Sequence, residues 1–109
     1  MRKGIMEYCI LSAIDQSGEM YASDIMEAMK TARLIVVEGT LYPLLTRLKN
    51  AGLLTYRWQE SSSGPPRKYY YMTQKGKNFL ARLDETWQEL ANAVKHTTNH
   101  KYHATDNFN

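Results

Sequence analysis

The chain has 109 residues, the length of one domain, and 43% of them are hydrophobic, which suits a packed core and excludes a disordered coil. No apolar run approaches the roughly 20 residues that cross a bilayer, and Met1-Arg2-Lys3-Gly4 opens a patterned helix, not a signal peptide. The lone cysteine, Cys9, has no partner for an internal disulfide and reads as a small core residue. Together these features point to a cytoplasmic protein. The net charge is only +3, but its distribution is uneven. From Gly39 to Arg82 the cations are Arg47, Lys49, Arg57, Arg67, Lys68, Lys75, Lys77 and Arg82, against the single acid Glu60. Such a block is the footprint of a nucleic-acid binder or, equally from charge alone, a solvated face.

The first helix is expected from Gly4 to Asp15, because Met6, Cys9, Ile10, Ala13 and Ile14 recur at the spacing of one buried face. Ser17-Gly18 ends it. A second helix covers Tyr21 to Thr31, with Ala22, Ile25, Met26 and Met29 as its inner stripe; the methionines read as core filling. Leu34-Ile35-Val36-Val37 is β-branched and predicts one extended strand.

The third helix is expected from Gly39-Thr40 to Gly52. Leu41, Leu44, Leu45 and Leu48 make its buried stripe, and Pro43 falls early enough to be tolerated. Thr40, Tyr42, Thr46, Arg47, Lys49 and Asn50 occupy the opposite face. Two alternating, aromatic-rich runs follow, Leu53 to Gln59 and Arg67 to Thr73, joined by the turn-rich stretch Glu60 to Pro66. They predict a β-hairpin with a long loop and with Arg67 and Lys68 at its tip.

Thr73 can cap a fourth helix running to about Lys95. Its stripe Leu80, Leu83, Trp87, Leu90 and Val94 advances in alternating steps of three and four, a heptad seam that wants a partner helix. The cheapest partner is the same helix of a second copy. The tail from His96 is polar and expected to be disordered. His96, His100 and His103 share helical spacing, but no cysteine and no buried shell support them, so no metal is assigned.

The fold class expected is mainly α (α+β): a winged helix-turn-helix over residues 1–73, a dimerisation helix over 74–95 and a tail over 96–109. In this order of elements the third helix can present its outer face to a major groove about 12 Å wide. Thr40, Tyr42, Thr46, Arg47 and Lys49 are assigned there to bases and phosphates. Tyr21 and Ser23 join them from the start of the second helix, and Arg67 and Lys68 from the hairpin. A dimer sets two such units on one duplex, so the operator is expected to be palindromic. A winged helix built for protein–protein contact would instead carry an apolar or acidic outer face. No metal-ligand cluster, glycine-rich phosphate loop or nucleophile–base pair suggests an enzyme, and no cofactor is expected.

The stretch Glu38-Gly-Thr-Leu-Tyr-Pro-Leu-Leu-Thr-Arg-Leu48, then Gly52-Leu53, Ser63-Gly-Pro-Pro-Arg-Lys-Tyr-Tyr70 and Thr73-Gln-Lys-Gly76, resembles the PadR family of transcriptional regulators in order and spacing. The short C-terminal helix resembles the family's small subfamily. The resemblance implies repression of nearby genes, relieved by a small aromatic or drug-like effector or by changed conditions. In some small members the effector lies between the C-terminal helices of the dimer against an aromatic residue, and Trp87 occupies the matching place. Acidic residues that help hold cationic ligands in such pockets have no match near Ala91. Plain dimer packing is the alternative role for Trp87.

Overall fold

The apolar stripes of the helices meet in a single core. The computed structural model describes the backbone of residues 2–34 and 36–107 and the side chains of residues 4–34 and 36–98. The elements run α1 (Arg2–Ser17), β1 (Glu19–Met20), α2 (Ala22–Thr31), α3 (Glu38–Asn50), β2 (Leu54–Ser61), β3 (Gly64–Met72) and α4 (Gln74–Asn107). The strands form one antiparallel sheet in the order β1-β3-β2. This is a winged helix-turn-helix with a long C-terminal helix. Among the described residues, no helix is long and apolar enough to cross a membrane.

Helix α1 packs against α2, β1, β3 and α4. It therefore buries a wider arc than one stripe: Leu11 is fully buried beside Met6, Ile10 and Ile14, while Cys9 and Ala13 are partly covered at the edge. Burial pushes the Cys9 thiol up from its ordinary pKa, as befits a packing residue. In α2, Ile25 and Met29 are buried, and the Asp24 carboxylate accepts the Tyr21 N–H at 3.1 Å to close the first turn.

The strand expected at 34–37 does not form. Ile35 lies outside the described residues, and Leu34, Val36 and Val37 join no ladder. Arg33, with φ of 63°, turns the chain off α2, and the Leu34 N–H reaches back to the Met29 carbonyl at 2.7 Å. Val36 is then buried among side chains and Val37 caps α3, 61% exposed. The β-branched run reported burial, not pairing. The third strand is Glu19–Met20, which meets Tyr71 and Tyr70.

Helix α3 buries Leu41, Leu44, Leu45 and Leu48 as its spacing predicts. It ends where Gly52 takes φ of 79°, allowing the Leu53 N–H to bond the Leu48 carbonyl at 3.0 Å. The hairpin is longer than the sequence suggests. Its ladder continues through Gln59↔Arg67 and, across a bulge, Ser61↔Gly64, so only Ser62 and Ser63 turn. Pro65 and Pro66 are tolerated because β1 pairs with β3 only at Tyr70 and Tyr71, leaving that edge free where the prolines lack N–H groups.

Thr73 caps α4 as expected: its hydroxyl accepts the Gly76 N–H at 2.9 Å. The helix continues through Asn107 rather than stopping near Lys95. No proline or glycine interrupts it after Gly76, and the Thr97 and Thr98 hydroxyls bond back to the Ala93 and Val94 carbonyls. The side chains of His100 and His103 lie outside the described residues, and no metal-holding cluster occurs among the described ones.

Candidate nucleic-acid interface

Alternation along β3 sends Lys68 and Tyr70 to one face and Arg67 and Tyr69 to the other. Lys68 lies over the rings of Tyr56 and Trp58, at 4.5 and 5.4 Å, and Lys49 reaches the same Tyr56 from α3 at 5.8 Å. Tyr56 and Trp58 meet edge to face at 6.0 Å, and Trp58 stays 58% exposed. Aromatic walls hold both ammonium groups in place without neutralising them. The second face carries Arg67 over the Tyr21 ring at 5.2 Å. Tyr21 stacks on Tyr69 at 3.9 Å, and Arg57 covers Tyr69 at 5.0 Å. Arg57 is fixed by a two-pronged pair with Glu19, Nε to Oε1 at 2.9 Å and Nη2 to Oε2 at 2.6 Å. The guanidinium holds the Glu19 carboxyl below its usual range.

Between the wing, α2 and α3 opens a cleft of about 430 Å³, lined by Tyr21, Ser23, Tyr42, Trp58, Arg67 and Lys68 among others. The fold thus gathers six of the nine residues assigned to DNA from sequence: five line the cleft and Lys49 stands beside it. Thr40 and Thr46 lie exposed on α3 outside the cleft. Two placements differ from expectation. Arg67 and Lys68 are not at the hairpin tip; they pair with Gln59 and Trp58 along the ladder, because the strands extend past them. Arg47 does not stand free on the outer face. It lies on the α1 side of the helix, ion-paired with Glu7.

The seam on α4 also divides. Leu80 is 5% exposed and belongs to the chain's own core, and Leu83 packs against that core. Trp87 stacks on Tyr8 of α1 at 5.7 Å, with the rings 15° from parallel. The Tyr8 hydroxyl donates to Asp84 at 2.5 Å; that bond and partial burial raise the phenol's pKa. Only Leu90 and Val94, 44% and 51% exposed, leave the seam open. Sequence reasoning finds no matching acid near Ala91, and the acid at this stack is Asp84, one turn before Trp87. The same reasoning missed Glu7, Tyr8 and Glu19 as partners altogether. Nothing in their local spacing signals contacts with residues far along the chain.

The sequence profile described as "Transcriptional regulator PadR-like family" matches residues 10–82, most of the winged domain and the start of α4. The chain belongs to this PadR-like family of transcriptional regulators. A PadR-like transcription factor from Bacteroides fragilis has the same fold at TM-score 0.80 and 59% identity, over 89% of this chain and 93% of that one. A PadR-like transcriptional regulator from Bacillus cereus superposes at TM-score 0.76 with 35% identity, over 87% and 92%. A protein of Lysinibacillus sphaericus is 32% identical over 59 residues, so the chain spans about half the length of that curated relative, 54%. Membership implies regulation of transcription through DNA binding, and the cationic, aromatic face around α3 and the wing is chemically suited to it.

Proposed function

We propose that this chain is a dimeric repressor that binds a palindromic operator, with α3 in the major groove and the wing on the adjoining backbone. The observation that carries the reading is the cleft of about 430 Å³ where Lys68 and Arg67 of the wing meet Tyr42 of α3 and Ser23 of α2. Cations held on aromatic rings, with hydroxyls between them, match a phosphate–sugar backbone. Lys49 and Tyr42 lie on the wing side of α3, suited to the groove wall. Arg47 reaches DNA only by leaving Glu7, so its contribution is expected to be smaller than that of the wing pair. Occupancy of a site overlapping a promoter then blocks transcription.

The test is the salt dependence of operator binding, read by fluorescence anisotropy. Each phosphate neutralised contributes a slope of roughly −0.9 in log K against log salt. Arg67→Ala with Lys68→Ala removes four cations per dimer, so it should weaken binding to every sequence and flatten that slope by about 3.6 units. An unchanged slope removes the wing from the interface.

The same reading includes a small-molecule effector at Trp87. In the isolated protomer Trp87 rests on Tyr8, so a planar ligand must slide beside that stack or displace Tyr8. A ring inserted there shifts α4 against α1, and with it the separation of the DNA-reading units; the ligand acts only if it binds the two arrangements unequally. In a Trp58→Phe background, planar hydrophobic compounds should quench Trp87 fluorescence and lower operator affinity together. Quenching with unaltered affinity would leave a pocket without a switch, and no quenching across a broad panel would return Trp87 to plain packing.

A further inference from the structure

The wing is joined to the rest of the sheet by little backbone. Strand β1 contributes only Glu19↔Tyr71 and Met20↔Tyr70, and beyond Tyr69 the hairpin projects on its own ladder. A two-stranded ribbon on so short a base bends easily. Along this exposed face runs a continuous stack of side chains. Glu19 of β1 grips Arg57 of β2 through two hydrogen bonds. Arg57 lies on Tyr69 of β3, Tyr69 on Tyr21 at the N-cap of α2, and Tyr21 under Arg67 farther out on β3. Every contact in it joins side chains on different elements. Tyr21 is therefore the one member that comes from the helical half, and it touches the wing at two points, Tyr69 and Arg67.

We infer that Tyr21, anchored through Tyr69 and Arg57 to Glu19, is a positioning residue that sets the angle of the wing and presents Arg67 to the DNA backbone. This rests on the proposed use of the wing in DNA binding and replaces the direct DNA contact expected of Tyr21 with a role through its ring, not its hydroxyl. Arg67 has no acidic partner among the described residues; its guanidinium is oriented by the Tyr21 ring alone, with its charge left available. The acid in the stack, Glu19, is spent on Arg57, at the end away from Arg67.

The arrangement yields a sign that simple electrostatics does not. Glu19 is a negative charge on a face that approaches DNA, so its removal alone should tighten binding. If Glu19 anchors the stack, its removal weakens binding instead.

The experiment measures operator affinity at fixed salt for five variants, with circular dichroism melts to verify folding. Tyr21→Phe keeps the ring and should bind within about twofold of the native chain. Tyr21→Ala should lose roughly five- to thirtyfold, the scale of two exposed cation–ring contacts, one in each protomer. In an Arg67→Ala background, adding Tyr21→Ala should change affinity less than twofold, since the group it positions is gone. Glu19→Ala, an exposed change with little bearing on folding, should weaken binding roughly two- to threefold. Should Tyr21→Phe lose as much as Tyr21→Ala, the hydroxyl touches DNA directly and the inference fails. Tighter binding by Glu19→Ala, or an undiminished Tyr21→Ala effect without Arg67, also overturns it. If Arg67→Ala by itself leaves affinity unaltered, the wing reading fails as well, and the two failures are told apart by that variant.

Discussion

Gly76→Ala should lower the melting temperature by roughly 10–20 °C, although alanine is the better helix former. In an exposed helix the exchange would stabilise by about 1 kcal/mol. Here α4 starts against the chain that leaves α3. A Cβ at position 76 would fall on the Leu53 carbonyl oxygen, with the carbonyl carbon at 2.9 Å and Cα at 3.2 Å. Neither partner is a side chain that can swing away. The first turn of α4 must move, and it takes with it the bonds that seat it. The Thr73 hydroxyl donates to the Gly52 carbonyl at 2.6 Å, the Thr73 N–H bonds the Leu53 carbonyl at 3.2 Å, and Lys75 Nζ reaches the Ala51 carbonyl at 3.0 Å. Forced overpacking costs about 1–3 kcal/mol, lost hydrogen bonds about 1 kcal/mol each, and in a domain of this size 1 kcal/mol shifts the midpoint by about 4–8 °C. A thermal melt followed by circular dichroism checks it; an unchanged or raised midpoint would mean that the junction yields freely.

The second large effect concerns assembly. Leu90→Glu combined with Val94→Glu should convert the proposed dimer to a folded monomer and reduce operator affinity by about 100-fold or more, because two linked half-site contacts become one. Leu90 and Val94 are the members of the seam that the protomer leaves open, and they stand one turn apart on α4. The heptad spacing alone would have suggested Leu83 as an equal target. Leu83 packs against the protomer's own core, so a charge there would unfold the chain and say nothing of association. Light scattering at micromolar concentration and a melt on the same sample separate the outcomes. A double mutant that remains dimeric with native affinity would move the interface off the C-terminal half of α4.

Much of the architecture was legible because it is periodic. The stripe Leu41, Leu44, Leu45 and Leu48 names α3 and its inner face, the alternation through Tyr56 and Trp58 names β2, and Thr73 marks the start of α4. The errors share a cause. Leu34 to Val37 has the composition of a strand, yet Arg33 turns the chain off α2, Val36 is buried in the core and Val37 caps α3, while Glu19 and Met20 supply the third strand. The stretch from Glu60 to Pro66 has the composition of a loop, yet Ser61 and Gly64 carry the ladder into it because the prolines lie where no third strand asks for an N–H.

By itself the sequence determined the helix faces, the hairpin, the heptad repeat on α4 and the concentration of cations between Gly39 and Arg82. Each is a property of neighbouring residues and survives any choice of packing. The tertiary structure decided which of those residues remain available. It spent Leu80 on the core, turned Arg47 to Glu7, seated Trp87 on Tyr8 and laid Arg67 on Tyr21. These pairings join positions far apart in the chain, and no local period encodes which surface an element will face. Only the docking of α1, α2 and α4 on the sheet brings such partners within a few ångströms.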